Sequence, residues 1–504
     1  MAVFGRLECL SIRGGILGDG LRARATRGGA WLGGGSAAEQ ISRLARNLIL
    51  TRLLAPSAFG TMAIVLSLSS LVGSMTDVGL FPAVIQHPQG GKDNYLNAAW
   101  WMGIGRALVV YALIFVSAPL LSQFYGDRNI SGLLRVALLS TIFDGLLSPR
   151  SKLAQKEMKF SRWALISNGG ALCGVLLTII LAFVLRSVWA LAIGYFSENV
   201  FRCLFSFALC PGLPSLRWDH EAFRELWEFS KGMVGLAFLN LVFARTDIFV
   251  LGKMLSPAAL GIYTMGVYLI QTPSNFLITV ISSTLLPALA HVQTDKHRVN
   301  RVVSEAASLI TLAGLPAMTM VCLCGSSLLT VAYGPRYAPA AGAFAFAAAV
   351  ALFNTLNALL TTVFFACGRP ALHRRAVAAS AIVMLIVVYP ACQRFGPTGG
   401  QMAALIAIVA SYVLQVSRAR QITGLPIFHF AHGIVPAAIV SAGIFLVGFG
   451  ARSLGLTDKP LADISIATAA CILAYILCVP SFTRIRTIAS EQSTKVTSDS
   501  LRIS

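Results

Sequence analysis

The sequence predicts an all-α polytopic membrane protein of about fourteen transmembrane helices, arranged as two six-helix bundles related by a parallel repeat plus two C-terminal helices. Three observations predict it. The 504 residues are 56% hydrophobic and only 12% charged, about half the charged share of a soluble globular protein. Long apolar blocks alternate with short polar punctuation, as a hydrocarbon core of about 30 Å demands of helices. A short pattern also recurs in the second half of the chain, in the same order.

The blocks fall at approximately 29–52, 59–85, 96–121, 130–148, 163–185, 187–209, 223–250, 259–286, 303–332, 339–366, 373–392, 398–416, 430–450 and 463–483. The first is the most polar, since Glu39, Gln40, Arg43, Arg46 and Asn47 fall within it. Such a helix crosses only if its polar face meets protein or a wet cavity; the alternative is an amphipathic helix lying on the membrane surface. Residues 1–27 are basic and Gly-rich and lack the apolar core of a secretory signal, so they read as a poorly ordered leader. Residues 484–504 read as a polar cytoplasmic tail.

Charge orients the chain. Forty Lys and Arg against twenty Asp and Glu leave a net charge of +20. In a soluble protein this would suggest nucleic acid, but the apolar excess removes nucleic acid as a partner. The densest basic group is Arg150, Lys152, Lys156, Lys159 and Arg162, followed by Lys296, Arg298 and Arg301, then Arg369, Arg374 and Arg375. All lie in alternate connections. The intervening connections hold mostly single basic residues: Arg128, Arg186, Lys253, Arg336 and Arg394. This is the positive-inside pattern, and it places both termini in the cytoplasm. The cysteines form no CxxC pair, so neither a zinc site nor a disulfide scaffold is indicated.

The repeat is explicit. Residues 52–60 read RLLAPSAFG and 253–261 read KMLSPAALG, aligning Leu54 with Leu255, Pro56 with Pro257, Ala58 with Ala259 and Gly60 with Gly261. Phe81-Pro82-Ala83 is echoed by Leu286-Pro287-Ala288, and Tyr125-Gly126 by Tyr333-Gly334. Three echoes in one order divide the chain into a bundle over 28–210, a second over 223–416, and two further spans over 430–483. Six spans per unit keep both copies in the same orientation, an arrangement suited to alternating access.

Ionisable residues inside apolar blocks are costly and are functional candidates by default. Asp77, Arg106 and Asp144 lie in the second, third and fourth spans. Glu198 and Arg202 are four apart in the sixth span and share a helix face, so they can pair. The seventh holds Lys231, Arg245 and Asp247. Two residues apart on a helix, Arg245 and Asp247 point in different directions and need separate partners, with Asp77 one candidate for Arg245. Charges near a helix end can snorkel to the interface, which would account for Asp144, Lys231, Arg245 and Asp247. Buried pairs can also simply lock helices together. Taken as a set, Arg46, Arg106, Arg202, Lys231 and Arg245 would make a cationic cavity for an anionic substrate, since Arg presents a forked donor array that suits phosphate. Asp77, Asp144, Glu198 and Asp247 would pair with them or serve in coupling. No phosphate-binding loop of the ATPase type is present and no group resembles a glycosyltransferase site, so a transporter rather than an enzyme is expected.

The run RLLAPSAFG followed by Asp77-Val78-Gly79-Leu80-Phe81-Pro82-Ala83-Val84-Ile85-Gln86 resembles bacterial polysaccharide-biosynthesis membrane proteins. These are the oligosaccharide flippases of the multidrug/oligosaccharidyl-lipid/polysaccharide exporter superfamily. Arg245-Thr246-Asp247-Ile248-Phe249-Val250-Leu251-Gly252 leading into LSPAALGIY is similar to that family's seventh helix and its exit. The resemblance covers about residues 28–485 and is strongest for the branch that handles lipid-linked repeat units of exopolysaccharide, capsule or O antigen.

The resemblance implies that the chain flips undecaprenyl-pyrophosphate-linked oligosaccharide from the inner to the outer leaflet of the bacterial inner membrane, among membrane lipids and alongside the polymerase and chain-length or export proteins of the pathway. It implies no cofactor and no metal, with coupling to an H+ or Na+ gradient as in some relatives. Arg46, Arg106, Arg202 and Arg245 would then be ligands of the head group, with Asp77 and Asp247 orienting them or coupling a cation. Three other readings stand beside it: a peptidoglycan-precursor flippase, an ion-coupled small-molecule or multidrug exporter of the same superfamily, and a structural scaffold of a polymer-assembly complex.

Overall fold

The computed structural model describes residues 19–75, 84, 89–156, 160–212, 215, 219–230, 236–291, 295–424, 427–454 and 459–474. Fourteen helices occupy the fourteen predicted spans. They are α1 (Asp19–Leu53), α2 (Pro56–Met75), α3 (Asp93–Tyr125), α4 (Asn129–Gly145), α5 (Gly170–Leu185), α6 (Trp189–Leu209) and α7 (Leu236–Met254). The chain continues with α8 (Pro257–His291), α9 (Lys296–Tyr333), α10 (Ala341–Ala366), α11 (Pro370–Phe395), α12 (Pro397–Thr423), α13 (Ile427–Ser453) and α14 (Pro460–Ala474). Among the described residues there is no strand, and nine helices are long and apolar enough to cross a membrane. The protein is an all-α polytopic membrane protein.

Two boundaries differ from the sequence reading. Helix α1 begins at Asp19, so the expected leader over 1–27 ends inside a helix; residues 1–18 and the tail lie outside the described residues. The expected seventh span over 223–250 is two helices, a separate one at His220–Ser230 and then α7. The first is a linker helix, started by the Asp219 carboxylate accepting from the backbone N–H groups of Glu221 and Ala222, each at 3.1 Å. Its Ala222, Phe223 and Leu226 pack on Tyr95, Leu96, Ala99 and Met102 at the start of α3, while Arg224 and Glu228 point outward. Hydropathy alone merges it with α7 because one of its faces is apolar.

The polar first helix is packed into the body of the protein. Leu50 and the adjoining Leu54 share a core with Ala182 of α5, Met265 of α8, and Val321 and Tyr333 of α9. A larger core joins α2, α3 and α4 to α7, α8, α11 and α12 through residues such as Val65, Ile114, Leu134, Leu251, Tyr263, Met384 and Ala404.

The repeat has a direct geometric counterpart. Pro56 and Pro257 each open a helix, at the first position, where a missing N–H costs nothing. One turn later α2 and α8 cross at Gly60 and Gly261. A Cβ on Gly60 would lie 1.8 Å from the Pro257 carbonyl oxygen, and a Cβ on Gly261 would lie 1.8 Å from the Pro56 carbonyl oxygen. Only glycine fits either place, and the contact is reciprocal. Two further repeat partners tie the same end together: Arg52 donates to the Val331 carbonyl at 3.0 Å and Lys253 to the Phe124 carbonyl at 2.5 Å. The echoed Gly126 and Gly334 close α3 and α9 at positive φ, 73° and 102°, Gly126 in the left-handed helical region and Gly334 in a more extended one.

Helix α9 breaks at Cys324 (φ −101°, ψ 15°). The Leu323 carbonyl accepts from Arg452 at the end of α13. Arg452 also pairs with the buried Asp463 of α14 at 2.9 Å, and Ser327 donates to the same carboxylate at 2.7 Å. The two C-terminal helices are thereby fastened to the break in α9.

Candidate functional site

Counting 1.5 Å per residue from the crossing end, Glu39, Arg43, Arg46, Glu198, Arg202, Arg245 and Tyr268 all lie about 10–20 Å down their helices. They therefore meet near mid-membrane, on α1, α6, α7 and α8. The densest part joins α1 to α6. Glu198 is buried, and its Oε1 accepts from Arg43 at 2.6 Å and from Arg202 at 2.8 Å. The latter is the pair predicted from their spacing. Glu39 accepts from Arg43 at 3.0 Å, one turn away on α1, and stands 3.8 Å from Arg202. Arg202 also donates to the Ser167 carbonyl at 3.3 Å.

Close packing holds this network in place. Gly170 and Gly174 of α5 lie one turn apart and lean on α6: a Cβ at Gly174 would lie 2.8 Å from the Cα of Glu198, and one at Gly170 would lie 2.8 Å from the backbone nitrogen of Arg202. Small residues at this spacing let two membrane helices touch along their backbones. The contact fixes where the Glu198 and Arg202 side chains begin.

The second part comes from the other half of the chain. Arg245 of α7 lies beside the Tyr268 phenol of α8 and acts on it electrostatically. Arg46 and Arg43 act electrostatically on the same phenol from α1, and the nearest bond of Arg46 is to Asn47 at 3.3 Å. Neither Arg46 nor Arg245 has a carboxylate within ion-pair distance among the described residues. Arg245 also lines an open cleft of about 470 Å³, together with Ser70, Ser74, Arg106 and Asn240. Arg106 donates to the Gly73 carbonyl at 3.2 Å.

Asp247 turns away from Arg245, as their spacing predicted. It is buried between α7, α8 and α12, where its Oδ2 accepts from the Tyr263 hydroxyl at 2.5 Å and from the Gln401 amide at 3.1 Å. Gln401 also donates to the Tyr263 oxygen at 2.7 Å, so each of the three side chains bonds both others. Asp144 is exposed near the end of α4 and joins neither group. Asp77 and Lys231 lie outside the described residues. Among the described residues no cluster of His, Cys, Asp and Glu could hold a metal ion.

Sequence reasoning noted Arg43 and Glu39 only as polar residues of the first span and missed Tyr263, Tyr268 and Gln401. The four-residue spacing of Glu39 and Arg43 was the available signal. An aromatic residue inside an apolar block carries none.

Residues 49–342 match the family described as polysaccharide biosynthesis protein, and the chain belongs to that family. The lipopolysaccharide biosynthesis protein WzxC of Escherichia coli is 20% identical over 58% of this chain and 60% of its own length. The succinoglycan biosynthesis transport protein ExoT of Rhizobium meliloti is 21% identical over 58% of each chain. The chain thus spans about three fifths of the length of the curated relatives it matches. Among solved structures, the lipid II flippase MurJ in an inward closed conformation superposes with a TM-score of 0.74 at 14% identity, covering 90% of this chain and 98% of MurJ. The fold is shared.

Proposed function

We propose that the protein flips undecaprenyl-pyrophosphate-linked oligosaccharide repeat units across the bacterial inner membrane, with the units 28–210 and 223–416 rocking about the Gly60–Gly261 crossing and both termini in the cytoplasm. The observation that carries this reading is the mid-membrane cluster of four arginines, Arg43, Arg46, Arg202 and Arg245, against two carboxylates, Glu39 and Glu198. Charge at that depth is expensive and is kept where it handles a ligand. An excess of guanidinium suits a diphosphate, which accepts paired N–H donors. The names of WzxC and ExoT support a glycan cargo.

Each group then has a task. Arg43, Arg46, Arg202 and Arg245 bind the diphosphate, and Tyr268 holds Arg245 aimed at it. The cleft beside Arg106 receives the sugars. The isoprenoid tail stays in lipid, because moving it through a polar cavity would expose apolar surface to water. Asp247, Tyr263 and Gln401 form the coupling site for a proton or sodium ion. No bond is made or broken, so the chain acts as a transporter and supplies glycan to the enzymes that polymerise it.

Reconstitution in vesicles with defined lipid-linked glycans, with and without proton and sodium gradients, tests this. The expected result is flipping of glycan diphosphate lipids accelerated by one gradient. Equal flipping of lipid II would favour a peptidoglycan-precursor flippase. Export of small cations without flipping would favour a drug exporter, and neither activity would favour a scaffold.

A further inference from the structure

The arginine cluster is only half neutralised, and the neutralisation is uneven. Arg43 and Arg202 converge on a single oxygen of Glu198, whereas among the described residues Arg46 and Arg245 have no carboxylate within ion-pair distance: Arg46 bonds the Asn47 side-chain oxygen, and Arg245 lies by the Tyr268 phenol. The Glu198 side chain is 5% exposed, while those of Arg43 and Arg202 remain 29% and 26% exposed. The carboxylate is thus enclosed, while the two cations that it holds keep part of their surface accessible. Glu198 cannot retreat, because its backbone is pressed against Gly174. Arg43 can leave it without becoming unpaired, because Glu39 on its own helix accepts from it at 3.0 Å.

We infer that Glu198 is the resident counter-anion of the cavity: it occupies the donors of Arg43 and Arg202 when no substrate is present, and an incoming anionic head group loads by taking Arg43 from it. This rests on the proposed anion-binding role of the cluster and adds how that site is kept empty and then filled. A charged pair out of water is stable only while both partners remain satisfied. A diphosphate satisfies Arg43 as the carboxylate did, so the exchange is close to balanced and therefore reversible. Loading also breaks the shorter of the two ionic links between α1 and α6, Arg43 to Glu198 at 2.6 Å, and leaves only the longer one, Arg202 to Glu39 at 3.8 Å. Release re-forms the shorter link, and the carboxylate thereby helps to expel the head group on the far side. Glu198 is a positioning residue in this scheme; it touches the arginines and not the cargo.

The test uses the purified full-length chain and inorganic pyrophosphate as a soluble probe of the anion site, titrated calorimetrically. Glu198→Gln keeps the shape and one acceptor oxygen but removes the charge. It should bind pyrophosphate about ten-fold tighter than wild type, the scale of a charge-assisted hydrogen bond that no longer competes. In vesicles the same variant should show a lower KM together with a lower kcat, because release is slowed. A residue that only braced the helices would lower the melting temperature and leave the KM-to-kcat balance unchanged. Glu198→Asp keeps the charge, shortens its reach and provides a second folded variant; it should bind between two-fold and five-fold tighter than wild type, about a fraction of the full effect. If wild type binds pyrophosphate and Arg245→Ala does not, while both Glu198 variants bind like wild type, the counter-anion role is wrong and the anion site stands. If all folded forms fail to bind pyrophosphate, the anion site is wrong and the counter-anion role falls with it.

Discussion

The crossing end and the mid-membrane cluster of this molecule use the same repeat in opposite ways. At the crossing, the halves match residue for residue. Gly60 meets the Pro257 carbonyl as Gly261 meets that of Pro56, and Arg52 and Lys253, at matched positions, each reach a carbonyl of the opposite half. About 10–20 Å lower the match is gone. The first half supplies Glu39, Arg43, Arg46, Glu198 and Arg202. The second supplies Arg245 with Tyr268 and, separately, the Asp247–Tyr263–Gln401 group. Two backbones that touch across a pseudo-two-fold axis must present complementary surfaces to themselves, so the contact stays paired. Side chains away from the crossing touch no such partner and can take on different charges. One half has become cationic, while the other holds an enclosed acid.

This contrast can be broken from either side. The largest effect is expected at the crossing. Gly60→Val should cost about 3 kcal/mol or more, because a side chain there meets backbone that cannot give way; thermal unfolding of the purified protein measures it. Reciprocity sharpens the prediction: Gly60→Ala and Gly261→Ala should destabilise equally, to within about 0.5 kcal/mol. A clear inequality would mean that the repeat is only nominal at this point.

The asymmetric half of the contrast predicts a functional split. Asp247→Asn keeps the hydrogen bonds to Tyr263 and Gln401 within reach but removes the charge. Flipping driven by an ion gradient should fall to the rate seen without one, while pyrophosphate binding stays at the wild-type level. Measuring both in one preparation separates coupling from cargo binding. Loss of both together would merge two sites that the structure keeps apart.

Much of the fold was legible because the bilayer leaves few choices. A span must be apolar and about 20 residues long, so fourteen blocks became fourteen helices. The linker helix at His220–Ser230 was not legible, since Phe223 and Leu226 bury against α3 and give it the look of a membrane segment. Within the site, the Glu198–Arg202 pair followed from helix geometry alone. The Arg43–Glu198 pair did not. It joins residues 155 positions apart, and only the packing of α5 on α6 brings α1 within reach. Tyr263 and Gln401 were hidden for the same reason: their meaning lies in Asp247, which they meet from two other helices.

A smaller effect is expected from the two cations at the crossing end. Arg52→Ala and Lys253→Ala should each cost below about 1 kcal/mol, as exposed contacts do. Both should raise the labelling of a cysteine placed at Gly126 by a membrane-impermeant maleimide in whole cells. Equal increases would extend the pairing of the crossing to its rim, and a rise in one alone would limit the pairing to the glycines.

The most direct measurement is the rate at which wild type and Arg245→Ala, reconstituted at equal abundance, flip a defined undecaprenyl-diphosphate glycan. The account predicts rapid flipping by wild type and at least about a ten-fold loss in the variant, the scale of one charged contact to the head group. Equal rates would contradict it, because Arg245 would then sit mid-membrane with no part in carrying the anion.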